Sequence, residues 1–187
     1  RPITQGFGLE NLNVELNKGG IKTDEKMRTN VPGVFAAGDV TGFSLLAHTA
    51  SREGEVVVNN LVGRQDRMRY NAIPGVVYTN PEVAGVGETE ESAKAKGIAY
   101  KVAKLPMSYA GRFVAENEGG NGLCKVLVGE KYGEVIGVHL LGNPSSEIIY
   151  GACIAIEQEM TIKELQEVVF PHPTVSEIIK ETIMSEL

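Results

Sequence analysis

The 187-residue chain has few cysteines and no nucleotide-binding glycine turn, and these absences narrow its chemistry before any motif is considered. Its two cysteines, Cys124 and Cys153, lie far apart in sequence, which excludes a closely spaced redox pair and the cysteine density of a disulfide-stapled secreted fold. Cys124 sits in an apolar run and Cys153 in a helical pattern, so both read as plain buried thiols. No Gly-x-Gly-x-x-Gly occurs, so no turn of that kind brings backbone amides and a helix N-terminus to a dinucleotide pyrophosphate. There is no apolar run long enough to cross a bilayer and no signal-peptide pattern. Lys and Arg number 18 against 24 Asp and Glu, a net charge of -6, so neither nucleic acid nor an anionic membrane is expected as a partner. Of the three histidines, His48 and His139 have no partner at metal-ligand spacing, and no metal site, Ser/His/Asp set or phosphate loop stands out.

What the chain does have is concentrated near its C-terminus. In Phe170-Pro171-His172-Pro173-Thr174-Val175-Ser176-Glu177 one imidazole stands between two prolines, with a carboxylate five residues on. Each proline locks its own φ and pushes the residue before it out of the α region, so Phe170 and His172 are expected to be extended. Histidine titrates near neutral pH, and one held in place can pass protons in either direction. A plainer reading stands beside this one. Thr174-Val175-Ser176-Glu177 matches a capping box, in which the threonine caps a helix and the glutamate reaches back to its amide. Thr161-Ile162-Lys163-Glu164 matches it too, with no histidine nearby, so the capping match carries no functional information.

The patterning predicts an α/β (α+β) chain in two regions, 1–70 and 71–187. In the first, Gly19 to Asp24 reads as a turn and short strand, and Val34 to Ala37 as an apolar strand ending at Gly38-Asp39. A helix follows, with Leu45, Leu46, Ala50, Val57, Val58 and Leu61 at helical spacing and Gly63 as its stop. Asp39 reads as a helix cap, and Leu45 and Leu46 as core, on these residues alone.

The second region reads as a complete small domain. Val76 to Thr79 and Val83 to Val86 are short strands, Thr89 starts a charged helix that Gly97 ends, and Tyr100 to Met107 is a further strand. Leu123 to Val128 and Val135 to Leu141 flank the turn Glu130-Lys131-Tyr132-Gly133 as an antiparallel hairpin, with His139 a satisfied core or edge residue. Three helical patterns follow: Ile148, Ile149, Ala152, Ala155 and Ile156; then Leu165, Val168 and Val169; then Val175, Ile178, Ile179, Ile183 and Leu187. An antiparallel sheet with helices packed on one side is the economical assembly.

The His-Pro-Thr of residues 172–174 with Glu177 resembles the active-site motif of the flavin-dependent disulfide oxidoreductases. Thr29-Asn30-Val31-Pro32-Gly33-Val34-Phe35-Ala36-Ala37-Gly38-Asp39 resembles that family's second flavin-binding motif, and Tyr78-Thr79-Asn80-Pro81-Glu82-Val83-Ala84-Gly85-Val86-Gly87 the opening of its interface domain. Leu45-Leu46-Ala47-His48 followed by Glu53-Gly54, with Ser146-Glu147-Ile148-Ile149, is more similar to the lipoamide branch than to the glutathione branch. The resemblance covers nearly the whole chain. Phe170, Thr49 and Ala110-Gly111-Arg112 depart from the residues usual in that branch without touching the main motifs.

The resemblance implies that residues 1–70 are the C-terminal part of an FAD-binding domain and 71–187 a dimerisation domain with an antiparallel sheet and flanking helices. It implies that Asp39 accepts a hydrogen bond from a flavin side-chain hydroxyl, and that the backbone around Leu45, Leu46, Ala47 and His48 faces the flavin ring. His172 would take a thiol proton from dihydrolipoamide, while Glu177 fixes its ring and favours the charged form. Electrons would reach FAD through a disulfide and pass on to NAD+, the FAD and NAD sites both being incomplete here. Expected partners are a second copy of the chain, through its C-terminal domain, and dihydrolipoamide on the lipoyl domain of a 2-oxo acid dehydrogenase complex. Arg1-Pro2-Ile3-Thr4 resembles the family's exit from its pyridine-nucleotide domain, so a C-terminal fragment, inactive alone, is expected in the cytoplasm or, in a eukaryote, the mitochondrial matrix. Another disulfide or mercuric-ion reductase of the family, and a non-catalytic dimerisation module, are the alternatives.

Overall fold

The computed structural model describes residues 1–185, and the chain divides between Tyr70 and Asn71 into two compact units. Leu187, expected in the last helix, lies outside the described residues.

In the first unit, β1 (Leu16–Asn17) and β2 (Gly20–Ile21) form a small antiparallel hairpin. The strand expected over Val34 to Ala37 does not form. Phe35 bridges Arg28, and the amides of Thr29 and Ala36 reach the carbonyls of Val34 and Met27 at 3.0 and 3.1 Å. A strand needs a ladder along its length, and among the described residues this segment finds only that short return. A 3-10 turn over Gly38–Thr41 follows, then α1 (Ala47–Leu61).

Helix α1 corrects the expected apolar face. Val58 and Leu61 are exposed and Leu45 and Leu46 precede the helix, whereas Thr49, Glu53 and Val56 are buried. Those three share one face by their spacing of four and three. The expectation followed hydrophobicity, but two of the three residues turned inward are polar and find hydrogen-bond partners there. Gly63, at φ 81, ends the helix as expected, and the Arg64 amide reaches back to the Asn59 carbonyl at 2.8 Å. Arg52 grips Asp66 with two bonds of 2.7 and 2.8 Å, and Asn59 adds a third, so the segment after α1 is strapped to it.

The second unit is a five-stranded antiparallel sheet. Its strands are β3 (Gly75–Val77), β4 (Val83–Gly87), β5 (Tyr100–Pro106), β6 (Leu123–Gly129) and β7 (Val135–Leu141), in the order β3-β4-β7-β6-β5. Between β4 and β5 lies α2 (Glu90–Ala95), and between β5 and β6 lies α3 (Gly111–Glu116). After β7 come α4 (Ser145–Glu157), α5 (Ile162–Glu167) and α6 (Glu177–Ser185).

Helix α4 packs on β4 and β7, and α6 on β5 and β6. Alternate strand residues Val86, Val126, Val138 and Leu140 thus meet Ile149, Ala152, Ile156, Ile178 and Ile183 in one core. Helices are not confined to that face. Glu90 of α2 pairs with Lys125 at 3.0 Å and Lys104 at 3.3 Å, which stand opposite each other in register on the other side from Cys124.

Thr161 forms the expected capping box with Glu164, and Thr89 forms another with Ser92. The α5 pattern ends sooner than expected: Val168 leaves the helix and Val169 is exposed. Pro171 disfavours a helical Phe170, and the chain has turned away before reaching it.

Phe113 of α3 is 2% exposed and belongs to the same core. Phe113→Ala is expected to cost about 3–5 kcal/mol of stability, read from the urea midpoint at unchanged slope.

Candidate functional site

The turn before α6 organises the C-terminal group of candidates. Half of the expected capping box forms: Oε2 of Glu177 accepts the Thr174 amide at 2.9 Å. The threonine does not complete it, because its hydroxyl donates to the Pro171 carbonyl at 2.7 Å and meets Ser176 at 2.8 Å. These bonds close the segment from Pro171 to Glu177 on itself.

They leave the Glu177 carboxylate facing the histidine. Nδ1 of His172 lies 2.9 Å from Oε1 and 3.2 Å from Oε2. The imidazole side chain is 80% exposed and the carboxylate only 21%, so a largely sheltered anchor holds a ring that stands in solvent. The Thr174 amide and then the His172 contact hold the Glu177 carboxyl below the usual carboxylate range. Its ionised form therefore persists through neutral pH, and the anchor weakens only as pH falls through that lowered value. An ionised Glu177 requires Nδ1 to be the donor, which leaves Nε2 as the atom that takes or gives a proton.

The other candidates lie in the first unit, along one run of chain. Asp39 is exposed in the turn over Gly38–Thr41 and does not cap α1, whose N-cap is Leu46. Leu45, Ala47 and His48 are exposed and Leu46 is half-buried. The N-cap residue Leu46 has no side chain that can cap α1, whose N-terminus carries the positive end of its dipole. Gly38 has φ +80, and a Cβ there would come 3.3 Å from that of Ala50, so the turn lies against the helix where a side chain is disfavoured. An exposed carboxylate can accept a hydroxyl hydrogen bond, and a helix start beside an exposed leucine can face an electron-rich ring. That donor set fits one edge of a flavin.

Sequence reasoning missed the support beneath this edge. Glu53 is fully buried; its Oε2 accepts the Gly38 amide at 2.5 Å and its Oε1 accepts the Tyr70 hydroxyl at 2.6 Å. Burial and then Glu53 push the Tyr70 phenol above its usual range. The Tyr70 ring lies 4.2 Å from that of Phe43, centre to centre. The available signal was a glutamate four residues after Thr49 and three before Val56, on a face those neighbours turn inward.

Both cysteines are free and buried. Burial pushes the Cys124 thiol up to about 12 and that of Cys153 up to about 11, so neither offers a thiolate at neutral pH. The third histidine, His139 on β7, meets the Glu88 carbonyl at 2.9 Å through Nε2. Among the described residues no cluster could hold a metal ion, and no helix is long and apolar enough to cross a membrane.

Comparison with known proteins bears on both groups. Residues 73–183 match the dimerisation domain of the pyridine nucleotide-disulphide oxidoreductases, and residues 1–54 match the pyridine nucleotide-disulphide oxidoreductase family itself. The chain is 40% identical over 185 residues to dihydrolipoyl dehydrogenase 3 of Pseudomonas putida, covering 99% of this chain and 40% of that protein. It is 42% identical over 187 residues to the dihydrolipoyl dehydrogenase of Trypanosoma brucei brucei, covering 99% and 39%. Among solved structures, LpdA of Mycobacterium tuberculosis superposes with a TM-score of 0.89 at 28% identity, covering 100% of this chain and 41% of that one. The chain thus spans about two fifths of the length of the curated relatives it matches.

Proposed function

The chain belongs to the pyridine nucleotide-disulphide oxidoreductase family, and from that premise we propose that it supplies the acid/base histidine, one flavin edge and the dimer interface of a dihydrolipoyl dehydrogenase. The observation that carries this reading is the contact between His172 and Glu177, in a chain 40% identical to proteins of that name. Nε2 of His172 takes a proton from a thiol of dihydrolipoamide, because the thiolate and not the thiol attacks a disulfide. Glu177 holds the Nδ1 proton, so the ring meets the substrate in one tautomer and one orientation. The disulfide under attack has no candidate in this chain, since Cys124 and Cys153 are buried and protonated.

Asp39 would accept a hydrogen bond from a flavin side-chain hydroxyl, and the backbone around Leu45 to His48, at the start of α1, would face its ring. Bound flavin supplies the acceptor for the dithiol's electrons, with NAD+ as the final oxidant. A second copy of the chain docks through the second unit. Val83, Leu141 and Leu123 lie in one register row across β4, β7 and β6, and all three are partly exposed apolar residues, which supports an interface there. The dihydrolipoamide is carried by the lipoyl domain of a 2-oxo acid dehydrogenase complex.

The test compares substrates on the full-length protein. Turnover is expected to be fastest with dihydrolipoamide and NAD+, and far slower with glutathione disulfide or mercuric ion and NADPH. Preference for either of the latter would reassign the chain within its family.

A further inference from the structure

We propose that Glu53 is a positioning residue that sets the flavin edge through Gly38, with Tyr70 locking it in place. The proposal rests on the flavin reading above. Asp39 can meet a ligand only if the preceding peptide is fixed, and both polar groups of Gly38 are fixed by side chains. Its amide donates to Glu53 at 2.5 Å, and its carbonyl accepts the Thr41 hydroxyl at 2.9 Å. The carboxylate of Glu53 comes from the buried face of α1, so it ties the Gly38–Asp39 turn to the very helix whose start forms the rest of the edge.

Tyr70 extends that tie to the other end of the edge. Its hydroxyl takes the second carboxylate oxygen at 2.6 Å, and its ring packs on Phe43 in the loop that leads to Leu45. One buried glutamate and one tyrosine thus support Asp39 and Leu45 together. A buried carboxylate is costly unless hydrogen-bonded, so a site that retains one obtains an orientation that a packed leucine would not give.

Three variants of the full-length protein separate positioning from mere support. Glu53→Leu fills the space but leaves the Gly38 amide without an acceptor. Glu53→Gln keeps an acceptor for Gly38, while the Tyr70 hydroxyl can turn to accept from the amide. Tyr70→Phe removes only the second hold. Apoprotein titrated with FAD is expected to bind at least about tenfold more weakly in Glu53→Leu, with a shifted flavin absorption band. Glu53→Gln is expected to restore affinity to within about threefold, and Tyr70→Phe to lose several-fold.

A folded Glu53→Leu that binds FAD like the wild type with an unchanged spectrum would overturn the proposal, as would a Glu53→Gln as impaired as Glu53→Leu. If Glu53→Leu does not fold, Tyr70→Phe decides: a several-fold loss with a shifted spectrum supports the latch, and unchanged binding overturns it. A wild-type protein that takes up no FAD would instead overturn the proposed function, and the latch with it.

Discussion

His172→Gln in the full-length protein is expected to lower dihydrolipoamide oxidation by about a factor of 10² to 10⁴ while leaving flavin bound. The bonds that close the turn run among Pro171, Thr174, Ser176 and Glu177 and do not involve the His172 side chain, so the turn keeps them. What glutamine lacks is a basic atom at the position of Nε2. The loss should therefore fall on the thiol-dependent step, and raising the pH toward the thiol's own range should recover part of it as more substrate ionises without help. Steady-state rates at several pH values, with flavin content measured by absorbance, check both statements. A variant as fast as the wild type would return His172 to a role in the helix-capping turn.

A polypeptide of residues 1–187 alone is expected to show no NAD-linked lipoamide turnover and to bind FAD weakly or not at all. On the proposed reading Asp39 and the start of α1 would meet only one edge of the cofactor, and the chain has no glycine turn to hold its pyrophosphate. Nor has it a reactive disulfide, because both cysteines sit in apolar surroundings that keep them protonated. Ultrafiltration with FAD and an assay for NADH formation would measure this, and detectable turnover by the purified chain would contradict it.

The second unit was the more legible of the two. Its hairpin of β6 and β7, its α4 and the Thr161 box follow from local rules: two apolar runs flanking a polar turn, a three-and-four repeat, and one side chain reaching three residues. The pairing of His172 with Glu177 was implied by the resemblance rather than by local rules, which gave Glu177 only a capping role. What failed were features that depend on distant neighbours. Val34 to Ala37 looks like a strand by composition, yet pairing is a property of two segments, and among the described residues Phe35 has only Arg28 across from it. The face of α1 was misjudged because burial there follows Glu53, whose partners Gly38 and Tyr70 lie fifteen and seventeen residues away. Thr174 spends its hydroxyl on Pro171, a competition that a four-residue pattern cannot register.

Deprotonation of a dithiol by His172, followed by electron transfer to a bound flavin, is the central proposed event. The most direct measurement mixes the full-length protein, without oxygen or NAD+, with one equivalent of dihydrolipoamide and follows the flavin absorbance in the wild type and in His172→Gln. The expected result is rapid loss of oxidised-flavin absorbance in the wild type and a change slower by about 10² or more in the variant. A flavin-containing wild type whose spectrum does not respond to the dithiol, or a variant that responds at the same rate, would contradict it.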